Sequence, residues 1–162
     1  MNENIINICI VKPVRLAPLW FQEYMEHFRW RVGEIPGCRV IDFVQYNHLV
    51  GQSPYLHAKK SIEKSHLVIF LPEYPSNTVA LFLGLSLEKF CKPTLVLASK
   101  EANIEMFDQV LAEHTDIALV ERYRDIRVLE NDGPPIVIGA LKHFESQINA
   151  IKAFRIQAAA TA

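Results

Sequence analysis

Two short polar segments of this 162-residue chain carry side chains that can do chemistry, and each directly follows an apolar run. The first, Lys12-Pro13-Val14-Arg15, offers two cations. Lysine acts as a point charge, and arginine as a planar fork that grips a phosphate or carboxylate through two bonds. Either residue alone would also serve as a solvated rim. The second segment is Pro72-Glu73-Tyr74-Pro75-Ser76-Asn77. Here Glu73 can accept from sugar hydroxyls, and Tyr74 can stack on a base or hydrogen-bond through its phenol. Ser76 or Asn77 stands where a helix N-cap is needed, and the free amides of that first turn also bind an anion or a ribose hydroxyl. Capping alone accounts for the Ser76-Asn77 pair. A carboxylate and a phenol at the mouth of a buried strand are not required by packing.

The elements that must position these groups follow from the alternation of apolar runs. Residues 5–11 (IINICIV) read as a strand that stops at Lys12-Pro13, because proline cannot donate to a ladder. Residues 19–32 carry apolar side chains at three- and four-residue intervals, an amphipathic helix ending near Gly33. Further strands are expected over 39–44, 66–71, 94–98 and 116–120, with helices over 54–64, 77–91, 101–114 and 136–155. The pair Pro134-Pro135 is placed just before the last helix, where its missing amides cost least. Residues 1–155 make one α/β domain, and 156–162, closing in AAATA, form a frayed tail. Five strands alternating with five helices predict a three-layer α/β/α sandwich. The expected order is the flavodoxin-like, Rossmann-like 2-1-3-4-5. In that order ligands bind beyond the carboxyl ends of the strands, between the first and third, and there the two polar segments meet.

Composition narrows the possible tasks. Half of the residues are hydrophobic and 22% are charged, as in an ordinary globular core. Seventeen basic residues against eighteen acidic ones give a net charge of -1, without the basic excess of a general nucleic-acid binder. No apolar run reaches the roughly 18 residues of a membrane span, so the expected setting is cytoplasmic and off the membrane. Cys9, Cys38 and Cys91 show no C-x-x-C pairing, and the six histidines show no metal-ligand spacing, so neither a metal nor a cofactor is expected. Glycine-rich phosphate loops of the dinucleotide and NTPase kinds are absent, as is a G-x-S-x-G elbow. The cluster 121–125, with Arg122 and Arg124, reads as a solvated loop after the fifth strand. Residues 78–87 are apolar nearly all round, with Gly84 in their midst at a cost of about 1 kcal/mol relative to alanine. Burial of both flanks by a second copy of the chain, giving a homodimer through the helix of Phe82 and Gly84, is the expected reason.

The run SIEKSHLVIFLPEYPSNTVALFLGLSLEKFCKPTLVL, residues 61–97, resembles the central unit of the nucleoside 2-deoxyribosyltransferase-like superfamily, which includes nucleotide N-glycosidases. It is also similar to the corresponding part of Toll/interleukin-receptor (TIR) domains, whose enzymatic members cleave the glycosidic bond of NAD. Ser76 matches the loop residue, Gly84 the helix glycine, Ser86 the small residue and Lys92-Pro93 the lead into the fourth strand. In both families a glutamate six residues after the loop residue and two before the glycine attacks or stabilises the sugar cation. Here that position is Phe82, which can do neither. The expectation is a nucleoside- or nucleotide-binding protein of this fold group without the usual catalysis. In it Lys12 and Arg15 hold an anion, while Glu73, Tyr74, Ser76 and Asn77 surround the sugar and base. The alternatives are an active N-glycosidase or deoxyribosyltransferase in which Glu73 is the displaced catalytic carboxylate, and a dimeric scaffold for protein partners. A sugar phosphate is a further candidate ligand.

Overall fold

A computed structural model describes residues 4–13, 16–41 and 54–161. Strand β1 (Ile6–Val11) leads to helix α1 (Leu19–Gly33) and strand β2 (Cys38–Ile41). Helix α2 (Pro54–Lys64) precedes β3 (Leu67–Phe70), and α3 (Asn77–Gly84) runs on into a π-helical turn, Leu85–Lys89. Strand β4 (Thr94–Ser99) is followed by a short 3₁₀ turn (Glu105–Phe107) and α4 (Asp108–Glu113). Strand β5 (Ala118–Tyr123), a 3₁₀ turn (Ile126–Val128), α5 (Leu129–His143) and α6 (Glu145–Thr161) complete the chain. The five strands lie in the order β2-β1-β3-β4-β5, every pair parallel, as expected.

Alternation along the central strands divides the core in two. Ile8, Ile10, Leu67, Ile69, Leu95 and Leu97 pack under α1 and α5 with Phe21, Met25, Phe28 and Phe144. Their neighbours Cys9, Val11, Val68, Phe70, Val96 and Ala98 face α2 and α3 with Ile62, Val79, Phe82 and Leu83. A strand covered on both faces needs apolar residues at every position, which is why β3 reads as an unbroken run. Gly133 is forced by the contact of α5 with α1: a Cβ there would stand 2.4 Å from the Phe28 ring.

Several boundaries depart from expectation for identifiable reasons. β5 runs to Tyr123 rather than ending at 120, because Glu121, Arg122 and Tyr123 stay in register with Leu97, Ala98 and Ser99. The helix after β4 starts seven residues late, since Asn103 accepts from the Glu105 amide and folds the approach into a side-chain turn. The last helix is two, broken at buried Phe144, and Pro134 and Pro135 lie inside α5 instead of ahead of it. α6 is helical through Thr161, across the tail for which fraying was expected. Residues 42–44 of the second expected strand lie outside the described residues.

Candidate functional site

The buried run of β3 continues through Leu71 and Pro72, and the chain surfaces at Glu73. Its carboxylate oxygen Oε1 accepts the backbone N–H of Ser99 at 2.7 Å and the Tyr123 hydroxyl at 2.8 Å. One side chain thereby ties together the carboxyl ends of β3, β4 and β5. The second oxygen, Oε2, is buried and has no hydrogen-bond partner among the described residues. An unmatched buried acceptor costs about 1–3 kcal/mol, and such atoms mark places where a ligand or strain has a role. Tyr123 is itself buried, and its phenol is held protonated well above the usual range, first by burial and then by the Glu73 charge. It is a committed donor.

Above this floor lies a cleft of about 740 Å³, within the range of small-molecule sites. One wall is aromatic: the Phe21 ring meets Tyr74 edge-on at 5.0 Å and Trp20 at 5.9 Å, and Trp20 is half exposed at the mouth. Tyr74 sits at φ +54°, the left-handed region that costs a non-glycine residue about 1–2 kcal/mol, so this loop is held in place against its own preference. The opposite wall is the segment from Ser99 to Met106, clamped by Arg122, whose Nη1 donates to the carbonyls of Ser99 and Ala102 at 2.8 and 2.6 Å. Among the described lining residues, four carboxylates (Glu73, Glu101, Glu105 and Asp125) stand against one cation, Arg124. That guanidinium is already engaged bidentately with Asp132 at 2.9 and 2.7 Å, which also holds the Asp132 carboxyl below its usual range.

The residues expected to form the site are thus divided. Glu73 and Tyr74 line the cleft. Lys12 is nearly buried and forms an ion pair with Glu26 of α1. Ser76 caps α3, accepting from the Val79 amide at 3.2 Å, and Asn77 is exposed as the first residue of that helix. Arg15 lies outside the described residues. The cleft is therefore displaced from the β1/β3 junction toward β4 and β5. Phe82, at the position where the resemblance expects a glutamate, is buried in the core beneath α3, with its ring stacked on Tyr55 at 6.4 Å. Tyr123, Ser99 and Trp20 escaped the sequence reading. The polar cluster 121–125 was the available signal, but ending the strand at 120 put Tyr123 in a loop. Elsewhere Glu88, Glu113 and His114 bring ligand atoms within 4.8 Å of one another at the surface, a grouping that the spacing of the histidines did not reveal.

No family model matches the chain, and no curated protein does either. Among solved structures, the fold is similar to that of a CMP N-glycosidase of Clostridium botulinum, BcmB. The TM-score is 0.57 at 14% identity, over 76% of this chain and 94% of that one. At this identity the likeness is one of fold. No helix among the described residues is long and apolar enough to cross a membrane.

Proposed function

We propose that the chain binds a nucleoside or nucleotide in the cleft, with Glu73 accepting from a sugar hydroxyl and the aromatic wall flanking the base. The observation that carries this reading is the unpartnered Oε2 of a carboxylate whose other oxygen is fixed by two donors. A ligand hydroxyl recovers the missing bond once the groups that cover Oε2 give way to it, and the acidic lining favours a ligand whose enclosed part is neutral. The shared fold with a CMP N-glycosidase supports the ligand class. Binding without the usual catalysis is supported by Phe82, an apolar core residue where that chemistry needs a charge. One feature favours the second reading, N-glycosidic cleavage by Glu73: a carboxylate pinned through one oxygen presents the other in a fixed direction, as a displaced nucleophile would. A homodimer through α3 is part of the proposal, supported by exposed Leu81 and by open space at Gly84.

The test is thermal stabilisation by nucleosides, nucleotides, NAD and sugar phosphates, followed by chromatography of each stabilising compound for free base. A ligand at a hundred times its dissociation constant contributes about 2.7 kcal/mol. For a domain of this size that is a rise of roughly 5–11 °C. The stabilised ligand should stay intact, and Glu73→Gln should weaken binding tenfold or more. Release of base that Glu73→Gln abolishes would replace the first reading by the second, while an unaltered response of Glu73→Gln would overturn both.

A further inference from the structure

At the opposite, amino-terminal edge of the sheet, basic side chains gather without matching acids. His66, buried just before β3, accepts the Asn7 amide through Nδ1 at 2.8 Å. The neutral ring must then carry its proton on Nε2. That nitrogen faces Nη1 of Arg155, from α6, at 3.1 Å. Both groups are donors, so the contact has no acceptor. The other terminal nitrogen of Arg155 is accounted for: Nη2 donates to the carbonyls of Glu63 and Ser65 where α2 ends, at 3.1 and 3.3 Å.

Lys92, just before β4, adds a third donor. The residue is 8% exposed, and its ammonium makes no hydrogen bond or ion pair among the described residues. Burial and the neighbouring Arg155 charge lower its pKa to about 8. Burial, Arg155, Lys152 and Lys92 together push His66 down to about 4, so the charges of all three reach this ring. Glu63 is the acid whose field reaches Lys92 and Arg155, and it forms no ion pair with either among the described residues. Three cations against one carboxylate leave an excess of two charges. An ammonium with no partner among the described residues, on a side chain largely withdrawn from solvent, is stabilised by an anion that neutralises it.

We infer that Lys92, Arg155 and His66 form an oxyanion site that takes a phosphate group, with Lys152 supplying further charge. A dianionic phosphate balances the excess and accepts from the ammonium, from Nη1 and from the imidazole Nε2–H, turning an unmatched donor pair into two bonds. The site lies across the sheet from the Glu73 cleft and shares no residue with it, so it does not rest on the reading of that cleft.

Titration of the purified protein with inorganic phosphate against chloride, at constant ionic strength, reads this directly, with the His66 imidazole followed by NMR. Saturable phosphate binding should raise the His66 pKa by a unit or more. Lys92→Met and Arg155→Gln should each weaken binding at least tenfold, and Glu73→Gln should leave it unchanged. Arg155→Gln, on a surface helix, decides the matter if Lys92→Met fails to fold. A nucleoside monophosphate run in parallel separates the sources. Binding of the monophosphate alone, lost in Arg155→Gln, supports a site for the phosphate of a larger ligand. Binding that survives Arg155→Gln, or no saturation with either probe, overturns the inference.

Discussion

Replacing Tyr123 by phenylalanine removes one oxygen atom from the cleft floor and leaves the ring in the core. The lost bond, 2.8 Å from hydroxyl to Glu73 Oε1, is one to a charged acceptor, and such bonds contribute about 1.5–3 kcal/mol. At 2–4 °C per kcal/mol for a chain of this length, the midpoint of thermal unfolding should fall by roughly 3–12 °C at neutral pH. A second consequence appears in alkali. The folded-state pKa of Tyr123 is raised, so its contribution is fully present below about 10, where the phenol of the unfolded chain ionises. Above that pH the unfolded chain releases the proton while the folded protein keeps it. Stability then falls by up to about 1.4 kcal/mol per pH unit from this group alone. Tyr123→Phe has no such proton, so the difference between the two proteins should shrink steadily from pH 10 to 11. Urea unfolding followed by circular dichroism at pH 7, 10 and 11 measures both effects. A variant within 0.5 kcal/mol of the parent at pH 7, or an identical alkaline slope in the two proteins, would refute the assignment of Tyr123 as the buried donor to Glu73.

Three further substitutions, one of them followed by a pH titration, test the packing and the charge cluster. Gly133→Ala drives a methyl group into the Phe28 ring and should destabilise by about 1–3 kcal/mol, whereas Gly84→Ala meets nothing within 4 Å and should stabilise by up to about 1 kcal/mol; denaturant midpoints give both signs. If a second copy packs closely on α3, Gly84→Ala should instead lower the association constant in sedimentation. The depressed pKa of His66 means that stability is fully present above its unfolded value of 6.5 and is lost as pH falls toward about 4, at up to roughly 1.4 kcal/mol per unit. His66→Asn should flatten that acid limb in urea titrations between pH 4 and 7.

The architecture was legible because each central strand is covered on both faces and must be apolar throughout, while the helices carry one stripe. β1, β3 and β4 therefore announce themselves. β5 did so only in part, since an edge strand keeps its ladder through Glu121 and Arg122 after its side chains have turned polar. Of the candidate site, Glu73 and Tyr74 were readable as polar residues that packing does not need. The partners of Glu73 were not, because a hydrogen bond across 50 residues leaves no local pattern. Lys12 looked free for the complementary reason: Glu26, fourteen positions away on α1, is brought to it only by the fold.

The floor of the cleft also has an order of assembly. Glu73 waits for donors 26 and 50 residues downstream. At ordinary synthesis rates of about 5–20 residues per second, Tyr123 follows it from the ribosome roughly 3–10 s later. Until Ser99 emerges the carboxylate can be satisfied only by water, and until Tyr123 does it lacks its second donor, at the open end of a sheet without its last strand. The cleft is thus among the last parts of the domain to take shape. A chain truncated before Tyr123 could assemble the sheet from β1 to β4 and still have no site.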